Sequence, residues 1–165
     1  MKIKNIIIFC VVLVALFGLM WLARPSVAPV PSGGAEAGTF LTAAESLHNF
    51  GTISMADGNV TKVFSVTNST DKDIKIESVA TSCMCTTAYL ESADGEKGPF
   101  GMPGHGGPSS AVNEVIQAGK SREVRVVYDP NAHGPAGIGP VDRFIYLTDA
   151  SGGTLELEIR AVVTP

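Results

Sequence analysis

Beyond about residue 46 the apolar and polar positions alternate with a period of two. Leu155, Leu157, Ile159, Ala161 and Val163 interleave with Glu156, Glu158 and Arg160, which predicts a strand with one buried and one wet face. Ile74, Ile76 and Ser78 alternate in the same way with Asp73, Lys75 and Glu77, and Val124, Val126 and Tyr128 with Glu123 and Arg125. Phe144, Tyr146 and Thr148 mark another β-rich run. Val60 to Thr67 forms a further one, closed by the turn residues Asn68-Ser69-Thr70-Asp71. Asp149-Ala150-Ser151-Gly152-Gly153 reads as the hairpin turn joining the final two strands. No segment of this region has the 3.6-residue period of an amphipathic helix. About seven short strands with turn signals between them predict an all-β domain, an immunoglobulin-like antiparallel β-sandwich, with a small barrel as the alternative.

The first 44 residues follow a different pattern. Lys2 and Lys4 precede an uncharged run from Asn5 to Ala23, ended by Arg24-Pro25. At 1.5 Å per residue, that run is just long enough to cross a hydrocarbon core about 30 Å thick. Its length, with Trp21 near the outer end, favours an N-terminal transmembrane anchor over residues 1–24. Ser26-Val27-Ala28 supplies a small-residue cleavage site for the alternative, a removable signal peptide. The two lysines place the N-terminus in the cytoplasm and the remainder outside it, in the cell envelope. Residues 25–44 are rich in Pro, Gly, Ser and Ala and read as a tether. Residues 45–165 then form one domain with a single core. The net charge of −4 and the absence of a basic cluster argue against a nucleic-acid partner.

Six segments in order give the domain a family likeness: Leu47-His48-Asn49-Phe50-Gly51-Thr52-Ile53, Phe64-Ser65-Val66-Thr67-Asn68, Ile74-Lys75-Ile76, Ser82-Cys83-Met84-Cys85-Thr86, Ala118-Gly119-Lys120-Ser121 and Val127-Tyr128-Asp129-Pro130. They resemble the bacterial "domain of unknown function fifteen-seventy-three", an exported immunoglobulin-like module with a Cys-x-Cys motif. The resemblance implies a sandwich and a place outside the cytoplasm, and no activity. The chain departs from the family pattern in two places. Met84 stands where Gly is common between the cysteines, and residues 91–113 make a longer, Gly/Pro-rich loop insertion carrying Met102 and His105.

The candidate chemistry centres on Cys83 and Cys85. In an extended strand, residues i and i+2 share a face with Cα atoms nearly 7 Å apart. A disulfide prefers about 4.4–6.8 Å, so this pair closes only where the backbone bends. The same two thiolates, turned toward a shared ion, suit a soft metal such as Cu(I), with Met102 and His105 as third and fourth ligands. Zinc fits less well, since it usually takes four firm N or S ligands. Redox exchange is a third reading, although the Cys-x-x-Cys spacing and helix N-terminus that usually support it are missing. His48 reads as a partly buried structural residue beside Phe50, and His133 as a solvent-facing residue in a turn-rich connection. No nucleophile–base order, phosphate-binding glycine loop or paired carboxylates point to an enzyme. The chain is therefore expected to be a membrane-tethered extracytoplasmic binding module that holds Cu(I) through Cys83, Cys85, Met102 and His105. The alternative is a structural or protein-interaction domain with an envelope partner, a Cys83–Cys85 disulfide and no metal.

Overall fold

The computed structural model describes residues 39–104 and 110–165, together with Lys4. Apart from Lys4, the anchor over residues 1–24 and the tether as far as residue 38 lie outside the described residues, as does His105. Among the described residues no helix is long and apolar enough to cross a membrane. The fold described here belongs to the second of two compact units of the chain, Ala35–Pro165.

That unit is all β. Ten strands run in chain order as β1 (Leu41–Ala43), β2 (Leu47–Ser54), β3 (Val60–Asn68), β4 (Ile74–Thr81), β5 (Thr86–Ser92), β6 (Gly95–Phe100), β7 (Ala111–Ile116), β8 (Ser121–Tyr128), β9 (Gly139–Asp149) and β10 (Thr154–Thr164). Two short 3-10 turns, Met55–Asp57 and Gly134–Gly137, interrupt them. One sheet has the order β1-β3-β8-β5-β6 and the other β2-β10-β9-β4-β7. The pairings are antiparallel except for β2, which runs parallel to β10. The second sheet is therefore mixed, where the wet-face alternation predicts antiparallel pairing throughout. The sheets form a sandwich and not a barrel.

The alternation read from the sequence is the burial pattern of the strands. Val124, Val126 and Tyr128 from β8 meet Phe64 and Val66 from β3 in the first sheet. Leu157, Ile159, Ala161 and Val163 from β10 lie with Ile145 and Leu147 from β9 in the second, and all join one core. The pattern departs from the predicted one in β4. A register shift between Ile76 and Ser78 moves the inward face from the even to the odd positions. Val79 and Thr81 are consequently buried, whereas Ser78 is only half-buried. A bulge of this kind re-aims every side chain beyond it, and here it turns Thr81 inward just before the cysteines.

Two boundaries also move. Composition extends the tether to residue 44, but Leu41–Ala43 forms an edge strand on β3 and buries Leu41. Residues 91–113, read as a loop insertion, contain all of β6 and the first residues of β7, one at the edge of each sheet. Gly98 permits the first of these, because a Cβ there would lie 2.9 Å from the Tyr89 ring and 3.0 Å from Ala88 O. A Gly/Pro-rich composition thus serves an edge strand in close backbone contact, a use that composition alone does not distinguish from a loop.

Asn68 fastens one end of the sandwich. It is fully buried; its Nδ2 donates to Lys72 O and Ile116 O, and its Oδ1 accepts from the Thr70 amide and hydroxyl. The predicted turn at Asn68–Asp71 is thereby tied to the opposite sheet. Asn68→Ala would strand several of these partners and is expected to lower stability by about 2–3 kcal/mol. Chemical denaturation checks this through a reduced midpoint at unchanged slope; a loss under about 0.5 kcal/mol would contradict it.

Candidate functional site

Cys83 and Cys85 occupy the connection between β4 and β5, where the chain passes from one sheet to the other. Every part of this short crossing is anchored. The Ser82 amide donates to Phe144 O and the Ser82 hydroxyl accepts from the Phe144 amide, which ties the exit of β4 to β9. The buried Thr81 hydroxyl bonds Cys83 O and Thr86 O, both at 3.0 Å. The Thr86 amide returns to Cys83 O at 3.2 Å, closing a turn, and the Asp129 amide donates to Cys85 O at 2.9 Å. The bend brings the two cysteine Cα atoms to 5.3 Å, inside the range a disulfide needs, and their sulfurs lie at disulfide distance. This is the local bending that the sequence requires for closure.

The two sulfurs have different surroundings. Cys85 is buried at 3 % exposure, Cys83 is half-buried, and Met84 between them points out at 60 %. His133 Nε2 lies 3.2 Å from Cys83 Sγ. Arg143 Nε donates to Cys85 Sγ at 3.1 Å, from a half-buried position on β9. Tyr128 is buried nearby; burial holds its phenol above the ordinary value, opposed by the Arg143 charge and reinforced by Asp129. At neutral pH it is an uncharged hydroxyl, so Arg143 has no phenolate beside it to neutralise.

His133 reaches the site because the loop after β8 is folded on itself. Asp129 Oδ1 accepts from the Asn131 amide, Asn131 Nδ2 donates to Met55 O, and the Gly134 amide donates to Asn131 O. Gly134 adopts a φ of 53°, which glycine takes without the Cβ penalty of other residues. The turn-rich reading of this loop holds, and His133 is exposed as expected. Its imidazole nevertheless faces Cys83, a contact across fifty positions that no local pattern reveals. The available signal was a histidine in a constrained Asp-Pro-Asn turn.

Cys83, Cys85 and His133 form a cluster whose ligand atoms all lie within 4.8 Å of one another. Met102 is half-buried on the β6–β7 connection. That connection starts beside the cysteines, because Gly101 O accepts from the Thr81 amide at 3.2 Å. His105, farther along it, lies outside the described residues. His48 is half-buried as the sequence suggests, with its ring edge-on to Phe50 at 4.7 Å and Nδ1 3.0 Å from Glu45.

Thr81 holds the cysteine turn from beneath, so Thr81→Val is expected to lower stability by about 1–3 kcal/mol while Thr81→Ser retains most of it. Thermal and urea melts of the two variants check this; equal losses would show that the hydroxyl does not carry the effect.

Comparison with known proteins agrees with the fold. No curated protein matches the chain. Among solved structures, a protein of unknown function from Porphyromonas gingivalis W83 superposes with a TM-score of 0.54 at 14 % identity, covering 81 % of this chain and 51 % of that one. A family 123 glycoside hydrolase from Clostridium perfringens gives 0.50 at 6 % identity, over 72 % of this chain and 22 % of the enzyme. The chain therefore spans about half of the first protein and under a quarter of the second, and at these identities the likeness is one of fold. The family model described as "Protein of unknown function (DUF1573)" matches residues 41–101, from β1 through the Cys-x-Cys crossing to the end of β6. Over that segment, which holds the motifs from Leu47–Ile53 to Ser82–Thr86, the chain is similar to this family.

Proposed function

We propose that the chain is an extracytoplasmic, immunoglobulin-like binding module, held at the cell membrane by its N-terminal apolar run, whose reduced Cys83 and Cys85 bind a soft metal ion together with His133. The observation that carries this reading is the three-residue cluster at the sheet crossing. Ligand atoms about 2.0–2.3 Å from one ion lie roughly 3.5–4 Å from each other, so the cluster can enclose an ion once the disulfide is reduced and the sulfurs part. Two thiolates and an imidazole in trigonal array favour Cu(I) over hard cations. Met102 and His105, on the β6–β7 connection whose first residue bonds Thr81, remain the candidates for a further ligand. Two sheets of five strands, packed on one core, support the immunoglobulin-like assignment.

Metal binding requires the dithiol, so a thiol reductant must first add two electrons and two protons to the closed pair. The disulfide distance between the sulfurs supports a second reading: an interaction domain for an envelope protein in which the pair stays closed.

Titration of the reduced full chain with Cu(I), against a competing chelator, separates the two. The metal reading expects one tight equivalent, abolished by Cys83→Ser with Cys85→Ser and weakened at least tenfold by His133→Ala, equivalent to about 1.4 kcal/mol. A larger loss from His105→Ala than from His133→Ala would transfer the third ligand to the β6–β7 connection. Unchanged affinity in the double serine variant would refute the site.

A further inference from the structure

The two sulfurs are unequal in access and in electrostatic surroundings, and that inequality has a chemical consequence. A guanidinium N–H gains little from a neutral disulfide sulfur, which is a weak acceptor. Against a thiolate the same contact becomes a charge-assisted hydrogen bond, roughly twice as strong as a neutral one. Arg143, 3.1 Å from the buried sulfur of Cys85, is therefore matched to a state in which Cys85 carries negative charge. Cys83 is the more accessible sulfur, and exposed His133 stands beside it at 3.2 Å.

We propose that Cys83–Cys85 is a thiol–disulfide exchange centre that oxidises external thiols, with Cys83 as the sulfur attacked and Cys85 as the leaving thiolate held by Arg143. In the first step a thiolate from solution attacks Cys83 Sγ, forming an external S–S bond and breaking Cys83–Cys85. The electron pair of the broken bond goes to Cys85 Sγ, facing the guanidinium. In the second step another thiolate attacks the external sulfur of the mixed disulfide, and Cys83 departs as a thiolate. A closed disulfide sulfur carries no proton, so a hydrogen bond between it and His133 runs from Nε2–H, and the same donor faces Cys83 as it departs; the thiolate takes its proton from solvent. Two external thiols become one disulfide, and the protein disulfide becomes a dithiol. The protein is itself the two-electron oxidant, so the reaction is stoichiometric.

This arrangement uses neither Cys-x-x-Cys nor a helix N-terminus, the features whose absence from the sequence argues against redox exchange. Arg143 supplies a positive charge and His133 a hydrogen-bond partner, both from elements far along the chain. The small loop closed by the pair adds little chain-entropy stabilisation, which leaves the disulfide open to attack. The proposal uses the cysteines of the suggested metal site without depending on metal binding, although its product is the dithiol that such a site needs.

The test follows opening of the disulfide by reduced glutathione in the oxidised full chain, with a chelator present to exclude metal. Acid quenching at early times and peptide mass mapping locate the mixed disulfide. Glutathione on Cys83 supports the proposal; glutathione on Cys85, or equally on both, overturns it. Arg143→Gln should slow opening about tenfold and Arg143→Lys less, as loss of a charge-assisted contact implies. A rate within twofold of the parent, in a variant with an unchanged melt, would also overturn it. Should Arg143→Gln fail to fold, the mapping on the unaltered chain decides alone. Because the assay is metal-free, failure of Cu(I) binding leaves its outcome untouched.

Discussion

The structure depends on one constraint: the chain must pass between two sheets in the four residues from Ser82 to Cys85. Packed sheets lie about 10 Å apart, so the crossing has little slack and must be held from both sides. β9 fixes its entry through Ser82, Asp129 fixes its exit through Cys85 O, and Thr81 supports it from within the core. The cysteine pair is bent by this crossing, and the bend gives the Cα separation that allows the sulfurs to meet. Scaffold and site are thus coupled, since the bulge that turns Thr81 inward belongs to β4 itself.

The surroundings of the pair come from β8, β9 and the loop between them. Each contributes one group: Tyr128 a buried neutral hydroxyl, His133 an exposed imidazole, and Arg143 a half-buried cation. Their placement divides the sulfurs into an accessible one and a protected one. The metal-binding and thiol-exchange proposals both rest on this geometry, because both need the sulfurs to bear negative charge. Similarity to solved proteins reaches only the sandwich, a frame that hosts unrelated functions.

Much of the frame was legible in the sequence because period-two alternation reports which face of a strand is buried. The runs at 124–128 and 155–163 show this directly, as do the turns at 68–71 and 149–153. The departures have local physical causes. At Ile76–Ser78 a bulge shifts the phase of the alternation, and the small or polar residues Ser78, Ala80 and Thr81 blur that shift in the sequence. In residues 91–113, Gly and Pro imply a loop, yet Gly98 is there to let β6 approach Tyr89. The cysteines were visible as a pair that needs a bend. Their partners were not, since His133 and Arg143 reach them across fifty and fifty-eight positions. Long-range contacts of single polar side chains have no period and no fixed spacing, so nothing along the chain announces them.

The most direct test of this account is nuclear magnetic resonance of nitrogen-15-labelled protein, following the His133 ring and the Arg143 Nε–H through reduction of the disulfide. With both groups in contact with the sulfurs, their resonances should shift more than those of any other side chain and return on reoxidation. Resonances of His133 and Arg143 that stay in place while Cys83 and Cys85 open would contradict the account, because the sulfur pair would then have neither of the partners assigned to it.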